Sequence, residues 1–156
     1  MPAETDLIKL YSTRILGLAA EIPHHKRLKS ADATIKKRSP LCGSAVTVDI
    51  TIKDGKIVTF GQDVKACALG QAAAAVTGGA IIGRTLAEIR IARDTLYAML
   101  KNSGPVPDAP FDGFEVLKPA REFKNRHASI LLCIEATLEA MELALKADLA
   151  SPTSFN

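Results

Sequence analysis

The chain has 156 residues, 47% hydrophobic and 24% charged, with a formal net charge of +3 at pH 7; it is long enough to bury one core without disulfide staples, and its balance excludes fibres and disorder-dominated chains. Five Phe, two Tyr and no Trp beside so small a charge argue against nucleic acid as the main partner. The most apolar stretch, 66–82, is broken by Gly70, Gln71, Thr77, Gly78 and Gly79, which excludes a membrane span.

In chain order, residues 7–20 place Leu7, Leu10, Tyr11, Ile15, Leu16 and Leu18 at roughly helical spacing ahead of Pro23, the pattern of a first helix. His24-His25-Lys26-Arg27 and Lys36-Lys37-Arg38 read as solvated basic surface. Residues 31–37 alternate weakly before Arg38-Ser39-Pro40 and read as a short edge strand. Val46, Val48, Ile50 and Ile52 then alternate with Thr47, Asp49, Thr51 and Lys53 up to Asp54-Gly55, so a strand with one buried face enters a hairpin, with Asp49 on its solvent side. A two-residue turn pairs Lys53 with Lys56 but sends Val58 and Phe60 outward. A bulge at Gly55 pairs Ile52 with Val58, Ile50 with Phe60 and Val46 with Val64, and is the expected register.

Either register brings Cys42 and Cys67 opposite each other or one position apart at the ends of the hairpin. Two thiols so placed can share one ion or a small cluster. Cys67 opens an alanine-rich stretch, 68–76, expected to form a helix that ends at Gly78-Gly79, with the thiol at a helix N-terminus where negative charge is favoured. A short helix is expected around 80–82, followed by Gly83. Thr85 and Glu88 form a capping box for an amphipathic helix that runs to about Asn102 and stops at Gly104. Pro105, Pro107 and Pro110 mark a loop; 114–117 begins one short element, Pro119 another, and the last helix starts near Asn125. It turns Ile130, Ile134, Leu138, Met141 and Leu145 inward and Glu135, Glu139, Glu142 and Lys146 outward, with a fraying tail from Ala147. No repeat or second core is visible, so residues 1–156 are one domain. Three cysteines without a secretory leader read as free thiols in the cytoplasm.

Pro40-Leu41-Cys42-Gly43, Ala66-Cys67-Ala68, Gly83-x-Thr85-Leu86 and Arg126-His127-x-Ser129-Ile130-Leu131 together resemble the iron–sulfur scaffold family of NifU N-terminal domains, IscU and SufU, over nearly the whole chain. The resemblance implies an α+β fold in which about five or six helices cover a small three-stranded antiparallel sheet. It also implies cluster ligands at Cys42 and Cys67, which match the first two family cysteines, and at His127, which matches the histidine of the IscU branch. Ser44 stands where most of the family has Asp, and Ala128 where it has the third cysteine. Asp63, Ser44 and Cys133 are weaker candidates. Cys133 lies six residues after His127, about 120° away around a helix, and reads first as a small core residue. In place of the chaperone-recognition motif Leu-Pro-Pro-Val-Lys of IscU the chain has Glu122-Phe123-Lys124-Asn125-Arg126.

The implied role is that of a carrier rather than a turnover enzyme. Sulfur from a cysteine desulfurase and ferrous iron would meet at Cys42, Cys67 and His127 as iron or a [2Fe–2S] cluster destined for recipient apo iron–sulfur proteins. The fourth position would fall to a small molecule, to Ser44 or to a second subunit of a homo-oligomer. Two other readings stay open: a SufU-like sulfur acceptor holding zinc, and an adaptor whose metal site has degenerated.

Overall fold

The computed structural model describes residues 12–40 and 43–150. Strands β1 (Ala33–Arg38), β2 (Ala45–Lys53) and β3 (Lys56–Lys65) form an antiparallel meander in that order. Val46, Val48, Ile50, Ile57, Phe60 and Val64 are buried on its inner face. Val46 pairs with Val64 and Ile50 with Phe60, as the alternation requires, but the tip pairs Lys53 with Lys56 and Ile52 with Ile57, with the register shift beside Thr51 and Ile52. Asp54 (φ 54°) and Gly55 (φ 74°) are the two left-handed residues of a tight two-residue turn. The bulge therefore lies at Val58, not at Gly55: Val58 is the extra residue, 44% exposed, and both Ile57 and Phe60 face inward.

Asp49 corrects the expectation of a solvent-facing carboxylate: it is 1% exposed. The segment 24–28 crosses the outer face of the sheet so closely over Gly61, the register partner of Asp49, that a Cβ added there would lie 2.5 Å from the Lys26 carbonyl oxygen. Beneath it Arg27 donates to both carboxylate oxygens of Asp49 (2.7 and 3.1 Å), the Leu28 amide donates at 2.9 Å and the Thr34 hydroxyl at 2.6 Å. Burial pushes the Asp49 carboxyl up, but Arg27, Thr34 and the Leu28 amide outweigh it and hold it below the usual carboxylate range.

Helix α1 (Thr13–Ala20) is capped by Ser12, whose hydroxyl accepts from the Ile15 amide at 3.3 Å, and it buries Ile15. Leu7, Leu10 and Tyr11 of the expected first helix lie outside the described residues. Helix α2 (Ala68–Ala80) does not stop at Gly78-Gly79 but runs through both. Gly78 serves close packing: a Cβ there would come within 2.7 Å of Gln62 Nε2 and 3.1 Å of the Pro23 carbonyl oxygen. No helix recurs at 80–82; the chain turns there and passes through Gly83 at φ 87°.

Helix α3 (Leu86–Lys101) carries the expected capping box between Thr85 and Glu88. The two short elements expected near Phe114 and Pro119 are one 3₁₀ run, Asp112–Glu122, followed by a second, Lys124–Arg126; the fixed φ of Pro119 suits this tighter winding. Helix α4 (His127–Ala150) packs across β1 and β2 on the inner face and against α2 and α3. Its first turns are buried on nearly every side, with Ile130, Leu131, Leu132, Cys133, Ile134, Ala136 and Thr137 all inside. No glycine or proline interrupts 127–150, so the helix continues past Ala147, where fraying was expected. Arg93 of α3 reaches Glu135 of α4 at 2.7 Å. Four α-helices and two 3₁₀ segments are thus described around the sheet, the expected α+β architecture, and no described helix is long and apolar enough to cross a membrane.

Candidate metal centre

Three chain segments meet at one end of the sheet. The first joins β1 to β2: the Ser39 amide donates to the Ser44 carbonyl (2.8 Å) and the Gly43 amide to the Ser39 carbonyl (3.0 Å), with Gly43 at φ 71°. These bonds bracket the segment that contains Cys42, which lies outside the described residues. The second follows β3. Lys65 pairs with Ala45, and two residues on Cys67 is the N-cap of α2, half-buried, its side chain making no capping hydrogen bond. The third is the start of α4, where the buried hydroxyl of Ser129 lies 3.6 Å from Cys67 Sγ and 3.1 Å from the buried Ser44 Oγ.

Ser129 reaches Cys67 because α2 presents Gly70 to it. A Cβ at Gly70 would fall 2.5 Å from Ser129 Oγ and 2.8 Å from Ala66 Cβ, distances at which one helix must yield. Gly70→Ala is expected to destabilise the fold by about 1–3 kcal/mol through overpacking, a fall in Tm of roughly 2–12 °C at this chain length. A thermal melt of the metal-free protein checks it; an unchanged Tm would mean that the helices part without strain.

His127 is 1% exposed. Its Nε2 lies 2.9 Å from the Ala120 carbonyl oxygen and 3.1 Å from that of Arg121. Both partners can only accept, so Nε2 carries the proton and Nδ1 keeps its lone pair. Nδ1 is buried without a hydrogen-bond partner among the described residues. Burial pushes the imidazole below its ordinary value of 6.5, the Ala120 and Arg121 carbonyls oppose the shift, and Lys101 and Lys124 reinforce it, so the ring is neutral at pH 7. As pH falls through about 6.5 the unfolded chain takes up this proton first, and stability drops until the folded ring also titrates. Urea midpoints at pH 7.5 and 5.5 should therefore fall further for the wild type than for His127→Gln; equal falls would place the ring in a solvated setting.

Asp63 stands on the outer face of β3 opposite Thr47, the face that carries Asp49. Cys133 is 1% exposed in α4, its Sγ–H donating to Gln62 Oε1 at 3.1 Å, while Gln62 Nε2 donates to the Pro23 and Ala74 carbonyls. Burial pushes the Cys133 thiol up to about 12, leaving it protonated and inert. Among the described residues no group of three or more His, Cys, Asp or Glu side chains is arranged to hold a metal ion; Cys42 is outside that set. Ser44 and Cys67 of the expected candidates are brought together. Ser129, which joins them, was missed as a site residue, although it stands in the Arg126-His127-x-Ser129 motif.

No family model matches the chain, and no curated protein does either. Among solved structures, the N-terminal part of a nitrogen-fixing NifU-like protein from Brucella abortus is 39% identical, with a TM-score of 0.88 over 90% of this chain and 98% of that one. A protein assigned as an iron–sulfur cluster assembly scaffold for the SUF system, from thermophilic Fervidobacterium islandicum AW-1, is 20% identical and shares the fold at a TM-score of 0.76, over 86% of this chain and 98% of its own. With such identity to the Brucella protein over nine-tenths of its length, the chain belongs to the NifU/IscU/SufU-like family.

Proposed function

We propose that the protein is a carrier on which iron and sulfide are assembled into a cluster, with Cys42, Cys67 and His127 as its holders. The cluster is cargo: a cysteine desulfurase supplies its sulfur, and recipient apo iron–sulfur proteins take it up. The observation that carries this reading is Cys67 itself. It is half-buried at the N-cap of α2 with no side-chain capping bond, 3.6 Å from the Ser129 hydroxyl, at the end of the sheet from which the Cys42 segment departs. His127 supports it, because its Nε2–H is fixed by two carbonyls and its Nδ1 has no partner among the described residues, the arrangement by which an outer hydrogen bond orients a ligating imidazole.

Two thiolates and one imidazole hold a cluster loosely enough for release. Ser44 and Ala128, in place of the family Asp and third Cys, move the site further in that direction. The experiment is anaerobic reconstitution with ferrous iron, cysteine, a desulfurase and excess dithiothreitol, which reduces the delivered persulfide sulfur to sulfide, followed by assay of bound iron and acid-labile sulfide. Equal amounts of both are expected. Stoichiometric zinc without sulfide would make the protein a sulfur acceptor, and no metal would make it an adaptor.

A further inference from the structure

We infer that Ser129 is a positioning residue for Cys67, its hydroxyl donating to the cysteine sulfur with the Ser44 hydroxyl behind it as a relay. This rests on the reading of Cys67 as a cluster-holding thiolate. The sulfur at 3.6 Å and the Ser44 oxygen at 3.1 Å are the partners of the Ser129 hydroxyl seen at this end of the sheet. A thiolate has no proton to give. When Cys67 holds the cluster as a thiolate, Ser129 donates to the sulfur, and its lone pair is left to accept from Ser44 3.1 Å away. Ser44 and Ser129 are both 98–99% buried, Ser44 in the connection just ahead of β2 and Ser129 in α4, 85 residues apart in sequence. They are held in place by the fold rather than by one another.

Hydrogen bonds to ligating sulfurs set how tightly a cluster is held and at what potential it is reduced. In this chain, where Ala128 removes one thiol, the relay compensates at another: it steadies Cys67 without adding a ligand, and release stays easy.

The test reads Cys67 in the metal-free protein as well as the loaded one. Iodoacetamide is added at fixed pH, and modification of the peptides that contain Cys42, Cys67 and Cys133 is followed separately by mass. Ser129→Ala should slow alkylation of Cys67 about fourfold, the effect of losing one charge-assisted donor after allowing for the greater nucleophilicity of a more basic thiolate. Ser44→Ala should slow it about twofold. Cys133 should stay unmodified throughout, reporting an intact fold. If Ser129→Ala loses that protection, Ser44→Ala decides. An unchanged or faster Cys67 in a folded variant overturns the inference. In the loaded protein Ser129→Ala should shift the cluster to a more negative reduction potential, which a purely packing role would not do. Because alkylation needs no metal, a wild type that fails to bind iron and sulfide would sink the carrier reading while leaving the Ser129 result to stand or fall alone.

Discussion

Cys67→Ala should lose iron and sulfide together on reconstitution, to the level of a protein with no site, while Cys133→Ala keeps both. The contrast comes from where the fold puts two otherwise similar thiols. Cys67 is half-buried at the start of α2 beside the Ser129 hydroxyl; Cys133 is sealed in the core, protonated and engaged with Gln62. With only two of the three proposed holders left, too few remain to hold iron, so the expected loss is complete rather than graded. Cys133→Ala strands Gln62 Oε1 and opens a small void, a cost of about 1–3 kcal/mol that lowers Tm without touching the site. The measurement is iron and sulfide per chain in both variants, with a melt alongside. Full retention in Cys67→Ala would remove this cysteine from the site.

Asp49→Ala carries the largest expected loss of stability, about 2–4 kcal/mol, because it strands the Leu28 amide and the Thr34 hydroxyl under the 24–28 segment and frees Arg27. Arg27 is 53% exposed at its side chain and regains water, which keeps the loss below that of a fully buried pair. At this chain length Tm should fall by roughly 4–16 °C. The same group predicts acid behaviour. Its folded pKa is below the ordinary 3.8, so its contribution is complete above about pH 4 and disappears as pH falls from there through the folded value. Urea midpoints between pH 5 and 2 should drop more steeply for the wild type than for Asp49→Asn, and matching slopes would show that the carboxylate is not held as described.

Period-two and period-3.6 patterns made most of the fold legible in the sequence: the hairpin, the capped helix from Thr85, the helix opened by Cys67 and the inward stripe of α4 all follow from local residues. What was not legible depends on residues distant along the chain. Asp49 reads as solvent-facing because nothing within its strand announces Arg27, 22 positions upstream, or the segment over Gly61. Gly78 reads as a helix stop because its reason, the approach of Gln62 and Pro23, is tertiary. Val58 carries the bulge because the Asp54-Gly55 turn closes with two residues, and the chain can then restore its inward face only inside the strand. For the site, Cys67 and His127 were visible as motif members, but the Ser44–Ser129–Cys67 contact joins residues from three chain segments, and no spacing rule reaches across 85 residues.

The Asp49 network grips the sheet on its outer face, about 13 Å along β2 from the strand end where the cysteine segments depart, and shares no side chain with Ser44, Cys67, Ser129 or His127. This share of the fold's stability thus lies apart from the candidate site. A change at Ser44 or Ala128 leaves the Arg27–Asp49 clamp untouched, so the donors at one end of the sheet can vary while the outer face goes on being held.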